Sequence, residues 1–120
     1  YSIVIDAILG TGLSSPVTGL YQGAIEAINA AGRPTVAVDL PSGLHADTGE
    51  ILGSAVRADL TVTFGLPKLG LYLGSGIDCA GTIRIVDIGI PADYAEAIAR
   101  PAPPPWRHWR LCASEPAWSP

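Results

Sequence analysis

With 120 residues, 48% of them hydrophobic and 15% charged, the chain has the make-up of a single folded domain rather than a disordered segment. Its formal net charge of −4 argues against nucleic acid or an anionic membrane surface as the main partner, and no apolar run nears the roughly 18 residues of a membrane span. Cys79 and Cys112 stand far apart without metal-type spacing, and no signal-peptide pattern opens the sequence. The expectation is a cytoplasmic protein with neither a disulfide framework nor a zinc site.

Along the chain, Tyr1-Ser2-Ile3-Val4-Ile5 is a strand that runs into Asp6, and the glycine-rich loop Gly10-Thr11-Gly12-Leu13-Ser14-Ser15-Pro16 follows. Leu20 to Ala31 reads as an amphipathic helix: Tyr21, Ala24, Ile25, Ile28 and Ala31 fall at helical spacing, and Gly32 stops it. Pro34-Thr35-Val36-Ala37-Val38 is a short apolar run suited to a strand covered on both faces, and it too ends in an aspartate, Asp39, before a Pro41-Ser42-Gly43 turn. Strand, helix and strand in this order make a right-handed βαβ unit. A third strand is expected over Ala58–Phe64, with Leu60, Val62 and Phe64 alternating, and a fourth over Thr82–Ile88. The glycine-rich segments 43–53 and 65–76 read as connecting loops.

Two apolar runs thus each end in an aspartate followed by a loop of small residues. In an open parallel sheet, ligands bind in the crevice beyond the carboxyl ends of the strands, so Asp6, Asp39 and their loops point to one site. Tyr1 stands at the front of a strand with no lead-in, whereas a doubly wound sheet carries strands on both sides of its first crossover. A domain lacking its N-terminal part is therefore expected, with a sheet edge left exposed. From Arg100 onward the proline- and tryptophan-rich stretch loses all periodicity. The division expected is a partial domain over 1–99 and a linker or irregular tail over 100–120.

Five ordered segments carry a family resemblance: Asp6-Ala-Ile-Leu-Gly-Thr-Gly-Leu, Val38-Asp-Leu-Pro-Ser-Gly-Leu, Ala46-Asp-Thr-Gly, Ala58-Asp-Leu-Thr-Val-Thr-Phe-Gly-Leu-Pro-Lys-Leu-Gly and Val86-Asp-Ile-Gly-Ile-Pro. Together they resemble the C-terminal two-thirds of the NAD(P)H-hydrate epimerase family, the YjeF N-terminal-like domain, over residues 1–91. The resemblance implies a Rossmann-like three-layer α/β/α sandwich with a mostly parallel sheet. It also implies an isomerase that interconverts the R and S forms of hydrated NADH or NADPH, with a potassium ion bound. An ADP- or ATP-dependent dehydratase, fused or separate, would be its partner, and homodimers are common for such folds.

Position by position, Asp6 and Ser42 match potassium ligands, Gly10, Thr11, Gly12, Leu13, Ser14, Ser15 and Pro16 match a stretch that contacts the hydrated cofactor, and Asp39 matches a further substrate contact. The chemistry is compatible: potassium is a hard cation that takes oxygen ligands, and the N–H groups of a glycine loop can face a phosphate at the entrance to a helix. Asp39 is the candidate acid and base for the proton movements of epimerisation. Lys68, the only lysine, is a second candidate for the site. The family's Asn-Asn-Gly-Gly-Asp-Gly loop, which holds the pyrophosphate, is absent from these 120 residues, so the expected pocket is incomplete.

Each residue also has a structural reading. A strand-end aspartate often caps a loop, Ser42 suits a turn, and Lys68 suits a solvated or structural position. Asp59 and Asp87 read as structural, His45 as surface, and His108 as uninvolved. A catalytically inactive nucleotide-binding or interaction module is the alternative from another functional class.

Overall fold

The computed structural model describes residues 2–98, which fall into two compact units dividing between Ile88 and Gly89. The tail segment 100–120, with His108, Cys112 and the three tryptophans, lies outside the described residues. In the first unit, β1 (Val4–Asp6), α1 (Gly19–Ala30), β2 (Thr35–Val38), β3 (Leu60–Phe64), α2 (Gly76–Ala80) and β4 (Thr82–Val86) follow one another, with a 3-10 turn over Leu69–Leu71. The second unit contains α3 (Ala92–Ile98).

All four strands are parallel, in the order β1-β2-β3-β4, and with the flanking helices they form an α/β Rossmann-like fold. Register aligns Asp6 with Ala37 and Val38 with Val62, so β1, β2 and β3 finish side by side at one edge of the sheet. β1 is an edge strand whose Ile3 and Ile5 neighbourhood is largely exposed.

The helix expected over Leu20–Ala31 forms one residue earlier, but its buried stripe is narrower than the spacing suggested. Ile25 is fully buried, Ala24 and Ile28 are half-buried, and Tyr21 and Ala31 face solvent. Ile25 joins Val17 and Val56 in one apolar cluster, against which Leu9, Leu13 and Ile28 pack. Burying a side chain of that size contributes roughly 1.5–3 kcal/mol. Asn29 then clamps the helix to the approach to β3: its amide donates to the Ala55 carbonyl at 2.9 Å and its carbonyl accepts from the Arg57 N–H at 2.9 Å.

On β3 the burial runs opposite to the apolar alternation. Thr61 and Thr63 are fully buried, while Leu60, Val62 and Phe64 are only half-buried. Each threonine hydroxyl is satisfied, Thr61 by the Ala80 carbonyl at 2.7 Å and Thr63 by Asp39 at 3.0 Å, and this removes the main cost of burying it.

The two segments expected as connecting loops are packed. Leu40, Leu44, Ala46, Ala55, Leu71, Cys79 and Ala80 form a second apolar cluster. Leu44 bridges Ile51, and Gly70 approaches so closely that a Cβ there would lie 2.1 Å from the His45 carbonyl. The Pro41–Leu44 turn closes through a 3.1 Å Leu44 N–H bond and sits against Ser54 and Ala55. At its centre Gly43 has φ +92°, and a Cβ would fall 1.8 Å from the Ser54 carbonyl oxygen. Gly43→Ala is expected to cost on the order of 3 kcal/mol, read from the urea midpoint, because it combines positive-φ strain with a backbone clash.

Candidate functional site

The site is built on the carboxyl ends of β1, β2 and β3. Asp6 closes β1 and is fully buried. Its Oδ2 accepts the Ser42 N–H at 2.8 Å, and its Oδ1 accepts the Ser42 hydroxyl at 2.6 Å and, more weakly, the Ile8 N–H at 3.4 Å. The Ser42 Oγ in turn accepts the Leu9 N–H at 2.9 Å and lies 3.3 Å from the Leu9 carbonyl. Asp6, Ser42 and the first residues after β1 are therefore one hydrogen-bonded unit, although 36 positions separate the two side chains in sequence.

Of the glycine-rich loop, Gly10, Thr11, Gly12, Ser14, Ser15 and Pro16 are exposed, and Leu13 is half-buried against the Val17–Ile25–Val56 cluster. The loop is pinned at one end by Leu9 on Ser42 and at the other by the Val17 N–H on the Leu52 carbonyl at 2.9 Å. Among the described residues, no protein acceptor takes the N–H groups of Gly10 to Ser15.

Asp39 occupies an unusual backbone position. Its φ of +70° is the single positive value at a non-glycine residue among those described, and the Leu40 N–H donates to the Val38 carbonyl at 2.9 Å across it. That is a γ-turn of the positive-φ kind, which is rare and strained, and strain of this sort collects at functional sites. The ladder to β3 continues through it, since the Asp39 N–H donates to the Val62 carbonyl at 2.7 Å.

The carboxylate is thereby aimed across the end of β3. Its Oδ1 accepts the Thr63 hydroxyl at 3.0 Å, the Phe64 N–H at 3.2 Å and the Lys68 ammonium at 2.5 Å. Burial pushes the Asp39 carboxyl up, but the hydrogen bonds from Lys68, Phe64 and Thr63, with the lysine charge, outweigh it and hold it below the usual aspartate value. The side chains of Lys68 and Asp39 are 20% and 24% exposed, a partly screened pair.

The structure thus joins Asp6 to Ser42 and Asp39 to Lys68, two polar clusters on neighbouring strand ends. Thr63, which the sequence reading passed over, is part of the second. Its signal was the mismatch of a β-branched polar residue within an apolar strand. His45 is half-buried rather than a plain surface residue: its Nδ1 accepts the Asp47 and Thr48 N–H groups at 3.2 and 3.3 Å and closes the Ala46–Thr48 turn. Asp59 is structural, its Oδ2 accepting the Thr35 N–H at 2.8 Å. Cys79 is a free thiol in the apolar core. No helix among the described residues is long and apolar enough to cross a membrane, and no group of three or more His, Cys, Asp or Glu gathers among them to hold a metal.

Parallel strands with acids and N–H-rich loops at their carboxyl ends define an open α/β protein with its candidate site at that edge of the sheet. A family described as "YjeF-related protein N-terminus" matches residues 1–70, and the chain belongs to that family. It is 52% identical over 91 residues to the NAD(P)H-hydrate epimerase of Levilactobacillus brevis, covering 76% of this chain and 42% of that protein. Against the epimerase of Weissella koreensis it is 49% identical over 90 residues, covering 75% and 41%. Against the bifunctional NAD(P)H-hydrate repair enzyme Nnr of Thermofilum pendens it is 50% identical over 96 residues, covering 80% and 18%. The chain therefore spans less than half the length of each of these relatives.

Two outcomes follow for the site's stability. Ser42→Ala removes a hydroxyl that serves both Asp6 and the Leu9 N–H in a buried setting, and should cost about 1–3 kcal/mol in a urea melt. For Asp39 the folded-state pKa is depressed, so its contribution is fully present above the unfolded value, near pH 4, and is lost as pH falls through the folded value. The stability gap between the parent chain and Asp39→Asn should accordingly narrow as pH falls below about 4, measured as urea midpoints at each pH.

Proposed function

We propose that this chain carries epimerase chemistry on hydrated NADH or NADPH, interconverting the R and S forms at the hydroxylated ring carbon. One observation carries the reading: Asp39, at the carboxyl edge of the sheet, is held ionised with Oδ1 fully engaged and no donor among the described residues on Oδ2. The names of the aligned relatives supply the substrate class.

Epimerisation breaks the bond between the ring carbon and its hydroxyl and remakes it on the opposite face. The ring nitrogen expels the hydroxyl, which takes a proton from solvent and leaves as water. A water adding to the opposite face of the flattened carbon gives up a proton, which the ionised carboxylate accepts on its free oxygen and passes to solvent. In the reverse direction the same oxygen, once protonated, gives that proton to the departing hydroxyl. Such general acid–base assistance is worth roughly 10²–10⁴-fold. The unengaged N–H groups of Gly10, Thr11, Gly12, Leu13, Ser14 and Ser15, with Pro16 closing the stretch, would face the phosphates.

A potassium ion is proposed at Asp6 and Ser42. The donor chemistry fits a hard cation, because the carboxylate, the hydroxyl and the nearby Leu9 carbonyl supply only oxygens. Of the roughly four lone-pair sites of the Asp6 carboxylate, Ser42 and Ile8 occupy three. A cation held there would offset phosphate charge in an acidic chain. The S form would pass to a dehydratase, fused or separate, dependent on ADP or ATP.

The test is the rate of R-to-S interconversion of hydrated NADH, coupled to an S-specific dehydratase, in potassium and in sodium buffers. Asp39→Asn, which tolerates positive φ, should lower the rate by at least about 100-fold while keeping nucleotide affinity. Potassium should raise the rate in the parent chain, and Ser42→Ala should blunt that response. Nucleotide binding without any acceleration would replace the enzyme reading with that of a non-catalytic binding module.

A further inference from the structure

The Lys68 ammonium has three N–H donors, and all three are taken by protein acceptors: Asp39 Oδ1 at 2.5 Å, the Phe64 carbonyl at 3.1 Å and the Thr63 hydroxyl at 3.2 Å. No donor remains for a ligand, so Lys68 is poorly placed to protonate a leaving group or clasp a phosphate. Thr63 closes the ring, donating its one hydroxyl hydrogen to the same Oδ1 while accepting from the lysine. With the Phe64 N–H added, three donors converge on one carboxylate oxygen. None of the described residues donates to the other.

We propose that Lys68 is a positioning residue: with Thr63 it locks Asp39 by Oδ1 and leaves Oδ2 as the single oxygen open to a ligand. The group that Oδ2 takes must be a donor, which fits a ring hydroxyl or a water and excludes a phosphate or carboxylate oxygen. The assignment deepens the epimerase reading above and rests on it for the identity of the ligand, but not for the geometry. It accounts for the fixed aim of a side chain whose own backbone is strained: the γ-turn sets the direction of the Cα–Cβ bond, and the lysine sets the rotation of the carboxylate about it. Among the described charged groups, only the lysine acts on Asp39; the other contacts are the neutral Thr63 and Phe64 groups of β3.

The experiment is a 13C-NMR titration of the Asp39 carboxyl in the 120-residue chain, in the parent and in Lys68→Met, Lys68→Arg and Thr63→Val. A lysine that does not engage the Asp39 carboxylate in solution would leave its midpoint unmoved, and one that engages it without positioning it would leave kcat unchanged. Positioning predicts a midpoint below the usual aspartate range in the parent, a clear upward move in Lys68→Met, substantial restoration in Lys68→Arg, and a smaller upward move in Thr63→Val. Where the parent turns over hydrated NADH, the acidic limb of kcat/KM should rise with the NMR midpoint. In Lys68→Met, kcat should fall about tenfold or more, with KM within about twofold. An unchanged midpoint in Lys68→Met overturns the proposal whatever the activity. If Lys68→Met fails to unfold cooperatively, Thr63→Val decides by the same criterion. A shifted midpoint in a chain without turnover strikes the epimerase reading and leaves the lysine's role standing.

Discussion

A carboxylate with no exposed surface has to find its hydrogen bonds inside the protein, and at Asp6 that requirement organises the whole edge of the sheet. Ser42 answers it twice, with backbone N–H and hydroxyl, and can do so only if the turn after β2 folds back over the end of β1. The serine then accepts the Leu9 N–H, so the glycine-rich loop starts from a fixed point rather than from a free strand end. The turn that delivers Ser42 depends in its turn on the Gly43 conformation and its contact with Ser54. One buried acid thus links β1, the first loop, the turn after β2 and the segment that approaches β3.

Asp39 faces a different problem with the same functional group. It is partly exposed, it sits on a strained γ-turn, and its hydrogen bonds are lopsided: every donor falls on one oxygen. Asp6 is held through both oxygens and closed in, which suits holding a loop or sharing a lone pair with a cation. Asp39 is held through one, which leaves the other for chemistry. The separation of roles follows from place as well as surroundings: Asp6 ends β1 opposite Ala37, whereas Asp39 stands two residues further along, just past the end of β2 and in the γ-turn.

The βαβ opening was legible because its period is clean. Ile25 and Ile28 lie on one helical face, and the run from Thr35 to Val38 has no polar break long enough to end a strand. The two acids were legible as well, because strand ends in a parallel sheet are where ligands sit. Other features were hidden for identifiable reasons. Segment 65–76 read as a connecting loop since glycine is a turn signal, yet Gly70 also packs closely against the His45 carbonyl, which no local pattern reports. The α2 helix is five residues long, too short to show a period. On β3, alternation identified a two-faced strand but ranked the faces wrongly, because Thr61 and Thr63 hide their hydroxyls in hydrogen bonds to residues 19 and 24 positions away. The partnership of Lys68 with Asp39 spans 29 positions and depends on register between β2 and β3, which sequence alone does not set.

That partnership bears on how an acidic chain would meet an anionic dinucleotide. Its only lysine is turned inward to a carboxylate, with every donor occupied, so it adds little to phosphate recognition. On the proposed function the attraction would be local: backbone N–H groups in the first loop, whose partial charges survive next to a net charge of −4 because they act at contact distance, and the cation proposed at the Asp6–Ser42 pair. A site assembled this way trades long-range steering for geometry. Its selectivity would come from where the N–H groups and the single open carboxylate oxygen stand relative to each other, and both are set by the same strand ends.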